Sequence, residues 1–288
     1  MPLAASTGQF VEIDGVRTFF IQRGSGTPVL LLHGAPGSCS LDDWRANIEP
    51  LADAGFAVYA YDQPGFGYTD PPSDYSLEYR TQHAKRFVEA MGFDRYHLIG
   101  YSQGSYIAAR LALEDPRVNR LILVSCGTVA GPGAEQGTAS RATLNWGLGT
   151  WRTHSFDATE PATSRGATPS LESVREQTRR ELFRRELATD DVVELRLEMT
   201  TGAHRDTMEK QRTAPRPRPV WEELKGLRPK TLVFWGLYDE GPAVERGLML
   251  IEQLPDAELH VFAHSGHWVP YEEADRFNRL TVQFLSLA

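Results

Sequence analysis

Short runs of apolar, β-branched residues, each closed by a Gly- or Asp-bearing turn, recur through the first half of the chain. They predict strands at 10–13, 17–22, 29–33, 57–62, 97–100 and 120–125. Asp14-Gly15 joins the first two as a hairpin signal. From Val29 onward the runs are almost unbroken in apolar residues, the pattern of parallel strands covered on both faces. Between them lie helical patterns. In 77–91, Tyr79, Ala84, Phe87, Val88 and Met91 recur at helical spacing and Gly92 stops the run, while 103–114 is small and apolar and ends at Pro116. Strand and helix in alternation predict a doubly wound, mostly parallel α/β sheet.

After Gly127 the texture changes. Residues 128–224 are polar and arginine-rich, helical at 171–187 and 190–204, with no convincing strand. Two stretches read as loops: 157–170, rich in Thr, Ala and Pro, and Ala214-Pro215-Arg216-Pro217-Arg218-Pro219, where alternate prolines forbid a helix. The strand pattern resumes at 230–235 and 258–262, and amphipathic helices at 243–254 and 271–287 close the chain. The expected organisation is a core of 1–127 and 225–288, with 128–224 inserted as a helical cap.

Composition narrows the class of function without changing that picture. At 288 residues, 41% hydrophobic and 24% charged, the chain has enough apolar surface for a sizeable core. A net charge of −8 argues against a nucleic-acid surface. No stretch approaches the roughly 20 apolar residues of a membrane span, and the N-terminus lacks a signal-peptide pattern, so the cytoplasm is the default compartment. Cys39 and Cys126 show neither metal nor CxxC spacing and read as buried or free thiols. No motif implies a metal or organic cofactor. Oligomeric state stays open, a homo-oligomer included.

The chemistry centres on Gly100-Tyr101-Ser102-Gln103-Gly104, a G-x-S-x-G between a predicted strand and a predicted helix. The glycines permit a tight, strained turn that lifts the Ser102 hydroxyl onto the helix N-terminus, where the Gln103 N–H is free to stabilise an oxyanion. A serine nucleophile needs a base. Of eight histidines, His264 and His267 follow the last predicted strand, and Gly266 before it favours His267. The orienting acid is expected in Trp235-Gly236-Leu237-Tyr238-Asp239-Glu240, with Asp239 preferred and Glu240 its competitor. The order Ser102, Asp239, His267 is that of a Ser–acid–His triad on a doubly wound sheet. The second oxyanion donor is expected from the loop after the 29–33 strand, His33-Gly34-Ala35-Pro36-Gly37, as the Ala35 N–H with Gly34 shaping the turn. Asp62-Gln63-Pro64-Gly65-Phe66-Gly67 reads as a structural turn.

Taken together, these residues resemble the α/β-hydrolase superfamily over nearly the whole chain, and the C-terminal third resembles the meta-cleavage-product hydrolases. The matching stretches are 235–239, Glu258-Leu259-His260-Val261-Phe262, Gly266-His267-Trp268 and Phe277-Asn278-Arg279-Leu280. That family cleaves a carbon–carbon bond in 2-hydroxy-6-oxo-dienoate acids. Thr189-Asp190-Asp191-Val192-Val193-Glu194-Leu195-Arg196 is similar to the family segment that holds the substrate carboxylate, which implies that role for Arg196. An ordinary solvated helix arginine is the competing reading. Trp268 resembles an aromatic pocket wall, with a buried core tryptophan as its competitor. Tyr101 stands where the family usually has an asparagine that contacts substrate. The resemblance therefore implies a small-molecule substrate bearing a carboxylate. An esterase or lactonase is the alternative, and a ligand receptor on the same scaffold a further one. Epoxide hydrolases and dehalogenases place aspartate where this chain has Ser102.

Overall fold

The computed structural model describes residues 5–34, 37–127, 129, 168–241 and 243–287. The expected Ala35 donor and the 128–167 part of the expected cap, apart from residue 129, lie outside them. Eight strands form one sheet: β1 (Gln9–Ile13), β2 (Val16–Arg23), β3 (Thr27–Leu32), β4 (Phe56–Tyr61), β5 (Tyr96–Tyr101), β6 (Val118–Val124), β7 (Lys230–Gly236) and β8 (Ala257–Phe262). Their order is β1-β2-β4-β3-β5-β6-β7-β8. Only the β1–β2 and β2–β4 pairings are antiparallel. Every strand read from the sequence is present, with its ends moved by at most two residues.

The unbroken apolar runs have the expected cause. Leu30, Leu32, Leu98, Leu121 and Leu123 point to one face of the sheet, against α3 (Leu77–Ala90) and α4 (Gly104–Glu114). Their chain neighbours Val29, Leu31, Ile99, Ile122 and Val124 point to the other, against α1 (Ser40–Asp43), α2 (Ile48–Asp53) and the C-terminal helices. Residues alternate in direction along a strand, so a strand buried on both faces must be apolar at every position. The Ser76 hydroxyl caps α3 by accepting the Tyr79 N–H at 3.2 Å.

Three helices differ from the sequence reading, each for a local reason. The expected 171–187 helix stops as α5 (Leu171–Glu181) and resumes as a 3-10 turn at Arg185–Leu187. Between them the Glu272 carboxylate captures the Arg184 N–H at 2.8 Å, holding the chain out of helical register. The expected 190–204 helix is two: α6 (Asp190–Glu198) and α7 (Gly202–Thr213). Thr200 and Thr201 donate their hydroxyls to the Leu197 carbonyl at 3.1 and 3.0 Å, and Gly202 turns with φ +55°. After α8 (Glu245–Gln253), the expected 271–287 helix begins earlier, as α9 (Val269–Glu272), before α10 (Ala274–Leu285). Pro270 in its first turn suits a helix start. Helices α1 and α2, only 4 and 6 residues long, are too short to leave a periodic signal.

The 214–219 stretch is non-helical, as its prolines require. Cys39 and Cys126 are buried and unpaired with one another. Among the described residues no helix is long and apolar enough to cross a membrane.

Packing is tight where β5 turns into α4. A Cβ on Gly104 would run into the carbonyl oxygens of Leu32 and His33, and one on Gly100 would stand 2.7 Å from Ala108 Cβ and from Gly104 O. Gly104→Ala should therefore destabilise the fold by about 1–3 kcal/mol, the usual cost of overpacking a rigid site. Gly226→Ala, with nothing within 4 Å of the new methyl, should leave the melting temperature nearly unchanged. Equal melting temperatures for both variants would show that the approach of α4 to β3 is not a constraint.

Candidate active site

The turn from β5 to α4 places Ser102 at φ +50°, a left-handed conformation that non-glycine residues seldom adopt. It is held by the Ser102 N–H donating to the Val124 carbonyl at 2.8 Å and by the Ser105 hydroxyl donating to the Gly100 carbonyl at 2.7 Å. The turn projects the Ser102 side chain past the end of the sheet. His267 Nε2 lies 3.0 Å from Ser102 Oγ, and His267 Nδ1 lies 2.8 Å from Asp239 Oδ2. A carboxylate at Nδ1 can only accept, so Nδ1 carries the proton and Nε2 presents a lone pair to the hydroxyl.

Each partner is anchored in turn. Asp239 sits just beyond β7 and accepts the Gly241 N–H at 2.9 Å through its other oxygen. The His267 backbone N–H donates to the Glu181 carbonyl at 2.8 Å, and its carbonyl accepts the Ser125 hydroxyl at 2.8 Å. Glu240 makes no hydrogen bond to His267. His264 packs on Phe183 at 5.6 Å between ring centres, away from Ser102. Geometry thus brings together Ser102, Asp239 and His267, and leaves their sequence competitors aside.

Burial alone would lower the basicity of His267. The Asp239 charge and its hydrogen bond, with Glu181 and Asp43 further off, outweigh that and hold its pKa above the ordinary 6.5. The backbone N–H of Gln103, at the N-cap of α4, has no acceptor within the helix. Gly34 lies directly against the nucleophile, where a Cβ would be 3.2 Å from Ser102 Cβ and 3.3 Å from the Tyr101 ring. Its N–H donates to Asp43 Oδ2 at 2.7 Å.

Beyond Ser102 the pocket is lined by Tyr101, Asp43, Glu181, Arg196 and His267, among others. Arg196 is buried, not solvated. Its Nε donates to Asp42 Oδ2 at 2.7 Å, its Nη1 to Glu181 Oε2 at 2.5 Å, and its plane lies 4.1 Å from the Trp268 ring centre. Only Nη2 has no partner among the described residues. Trp268 is fully buried behind Arg196, with its indole N–H on the Asp43 carbonyl at 3.2 Å, so it supports the pocket from behind. Tyr101 is buried, its ring centre 5.3 Å from that of His267.

Asp43, which lines the pocket, and Asp42, which holds Arg196, were not anticipated. Burial raises both carboxyls. Asp43, with Asp42 adjacent, is pushed to about 7, whereas Arg196 partly offsets the shift at Asp42. The only sequence signal is an acidic pair set against Trp44 and Leu41. Asp62 is structural, as expected, accepting from the Ser40 N–H and hydroxyl at 2.7 and 2.6 Å and from the Tyr68 N–H at 2.9 Å.

Comparison with known proteins agrees with this architecture. The family model for the alpha/beta hydrolase fold matches residues 27–274. A 2-hydroxy-6-oxo-6-phenylhexa-2,4-dienoate hydrolase from Burkholderia cepacia is 31% identical, over 98% of this chain and 97% of its own. A 2-hydroxy-6-oxononadienedioate/2-hydroxy-6-oxononatrienedioate hydrolase from Cupriavidus pinatubonensis is 32% identical, over 98% and 96%. Among solved structures, a meta-cleavage product hydrolase from Pseudomonas fluorescens superposes with a TM-score of 0.77 at 31% identity, over 97% of each chain. The chain belongs to the α/β-hydrolase family, as an enzyme akin to the meta-cleavage product hydrolases.

The electrostatic balance at His267 is open to direct measurement. Its imidazole, followed by nitrogen NMR across pH, should titrate above 6.5 in the native protein. In Asp239→Asn, burial is left largely unopposed and the midpoint should fall. An unchanged midpoint would mean that Asp239 does not set the state of His267.

Proposed function

We propose that the protein hydrolyses a carbon–carbon bond in 2-hydroxy-6-oxo-dienoate acids, with Ser102 as nucleophile, His267 as base and Asp239 as its orienting acid. The observation that carries this reading is the contact of His267 with both Ser102 and Asp239, in a pocket that also holds a buried arginine. The dienoate hydrolases that match nearly the whole chain support the substrate class.

In this reading the substrate carboxylate meets Arg196 Nη2. The dienol first ketonises, its hydroxyl proton leaving oxygen while carbon 5 gains one. Ser102 then attacks the carbon 6 carbonyl as its proton passes to His267. N–H groups of Gln103 and Ala35 hold the oxyanion. The bond between carbons 5 and 6 breaks, its electron pair delocalises onto the carbon 2 oxygen, and His267 returns the proton. Water, deprotonated by the same imidazole, releases the acyl group. Residues 128–224 act as the cap, which contributes Glu181 of α5 and Arg196 of α6, among others, to the pocket.

Ester or lactone hydrolysis is the second reading. It is favoured by Tyr101, whose ring fills space beside the base, and by the pairing of Arg196 with two protein carboxylates. The same nucleophile, base and acid serve it without ketonisation.

Two substitutions test these assignments. Ser102→Ala should lower kcat by a factor on the order of 10⁴–10⁶ on both dienoates and nitrophenyl esters. Near-normal turnover would remove Ser102 as nucleophile. Arg196→Lys keeps the charge that Asp42 and Glu181 need but loses the planar fork. It should raise KM for dienoates by about 10- to 100-fold, the worth of one charged hydrogen bond, and leave KM for neutral esters unchanged. Equal effects on both substrates would remove Arg196 from carboxylate recognition.

A further inference from the structure

Arg80, on α3, is a buried cation that the mechanism above does not use. It is 2% exposed, and no carboxylate lies within 4.0 Å of it among the described residues. Arg196, also buried, has two. The guanidinium is met by two side-chain amides: Nη2 donates to Gln103 Oε1 at 2.7 Å and Nη1 to Gln63 Oε1 at 3.1 Å. One face lies 5.2 Å from the Phe66 ring centre, and Nε has no partner among the described residues. Burial lowers its pKa to about 10, which leaves it charged at neutral pH.

Those two amides lead to the two segments expected to bind an oxyanion. Gln103 is the residue after Ser102. Gln63 donates its Nε2–H to the His33 carbonyl at 2.6 Å and its backbone N–H to His33 Nε2 at 2.9 Å. The His33 ring must then carry its proton on Nδ1, which donates to the Gly34 carbonyl at 2.8 Å. One guanidinium thus ties the start of α4 to the end of β3 and the loop that follows it.

Glu78 acts on Arg80 only from beyond contact distance, and a buried cation with no contacting counter-charge is costly in the resting protein. The cost falls when negative charge develops nearby, and an interaction stronger in the transition state than in the ground state accelerates a reaction. We propose that Arg80 is a positioning residue for the oxyanion site: it fixes Gln103 and the His33–Gly34 segment, and its unpaired charge is complemented when the oxyanion forms. The proposal rests on the assignment of Ser102 as nucleophile.

The test compares Arg80→Met and Arg80→Lys with native enzyme on a nitrophenyl ester, and measures binding of a trifluoromethyl ketone whose adduct with Ser102 bears the oxyanion. Arg80→Met should lose roughly 10- to 100-fold in kcat, less than removal of a direct donor, with KM changed by less than about threefold. Ketone affinity should fall in parallel, and Arg80→Lys should recover part of both. Unchanged kcat and ketone affinity in folded Arg80→Met would overturn the proposal. If that variant does not fold, Gln103→Leu keeps the backbone N–H and removes the tie. It should show the same loss confined to kcat, and normal kcat would again overturn the proposal. Activity surviving in Ser102→Ala would instead overturn the nucleophile assignment; an inactive Ser102→Ala with unaffected Arg80 variants would sink this inference alone.

Discussion

The approach of α4 to the end of β3 is the constraint on which the rest of the site depends. A Cβ on Gly104 would run into the Leu32 and His33 carbonyl oxygens, so only glycine fits there without a shift of the backbone. That approach brings the helix N-terminus beside the Gly34 loop, forces Ser102 into φ +50°, and sets its hydroxyl in front of His267. Ser102, His267 and Asp239 come from three turns beyond the same end of the parallel sheet, so their convergence follows from strand direction and order. The sheet is apolar on both faces, and its rigid core over-determines a backbone conformation that is unfavourable in isolation.

The polar end of the pocket shows what a buried charge requires. Arg196 is held by Asp42 from α1 and Glu181 from α5, and covered by Trp268 from the loop before α9. These carboxylates orient the guanidinium and leave one amino group, Nη2, free of partners among the described residues. They also make the neighbourhood acidic, with Asp43 on the same short helix poised near neutrality. In the proposed reading, a substrate carboxylate entering here meets one available donor amid several negative groups.

How legible each feature was in the sequence follows from how local its cause is. The strands could be read because burial on both faces writes itself as an unbroken apolar run. The G-x-S-x-G turn could be read because its glycines answer to a close approach of backbone. His267 and Asp239 could be placed by the order of turns after β7 and β8. The break of α6 at Thr200 and Thr201 was not legible, since either threonine is tolerated within a helix until its hydroxyl bonds back to Leu197. Asp42, Asp43 and Arg80 were missed because their importance lies in partners 154, 9 and 23 residues away, on other elements. An acidic pair on a four-residue helix, or an arginine within an amphipathic one, looks like solvated surface until the fold buries it.

The central claim is that the hydroxyl of Ser102, activated by His267, forms the covalent intermediate. Reaction with a fluorophosphonate, followed by intact-mass and peptide mass spectrometry alongside residual dienoate turnover, tests it most directly. The account predicts one phosphonyl group per chain, located on Ser102, with activity falling in proportion to its occupancy. Turnover that persists when Ser102 is fully modified would contradict it.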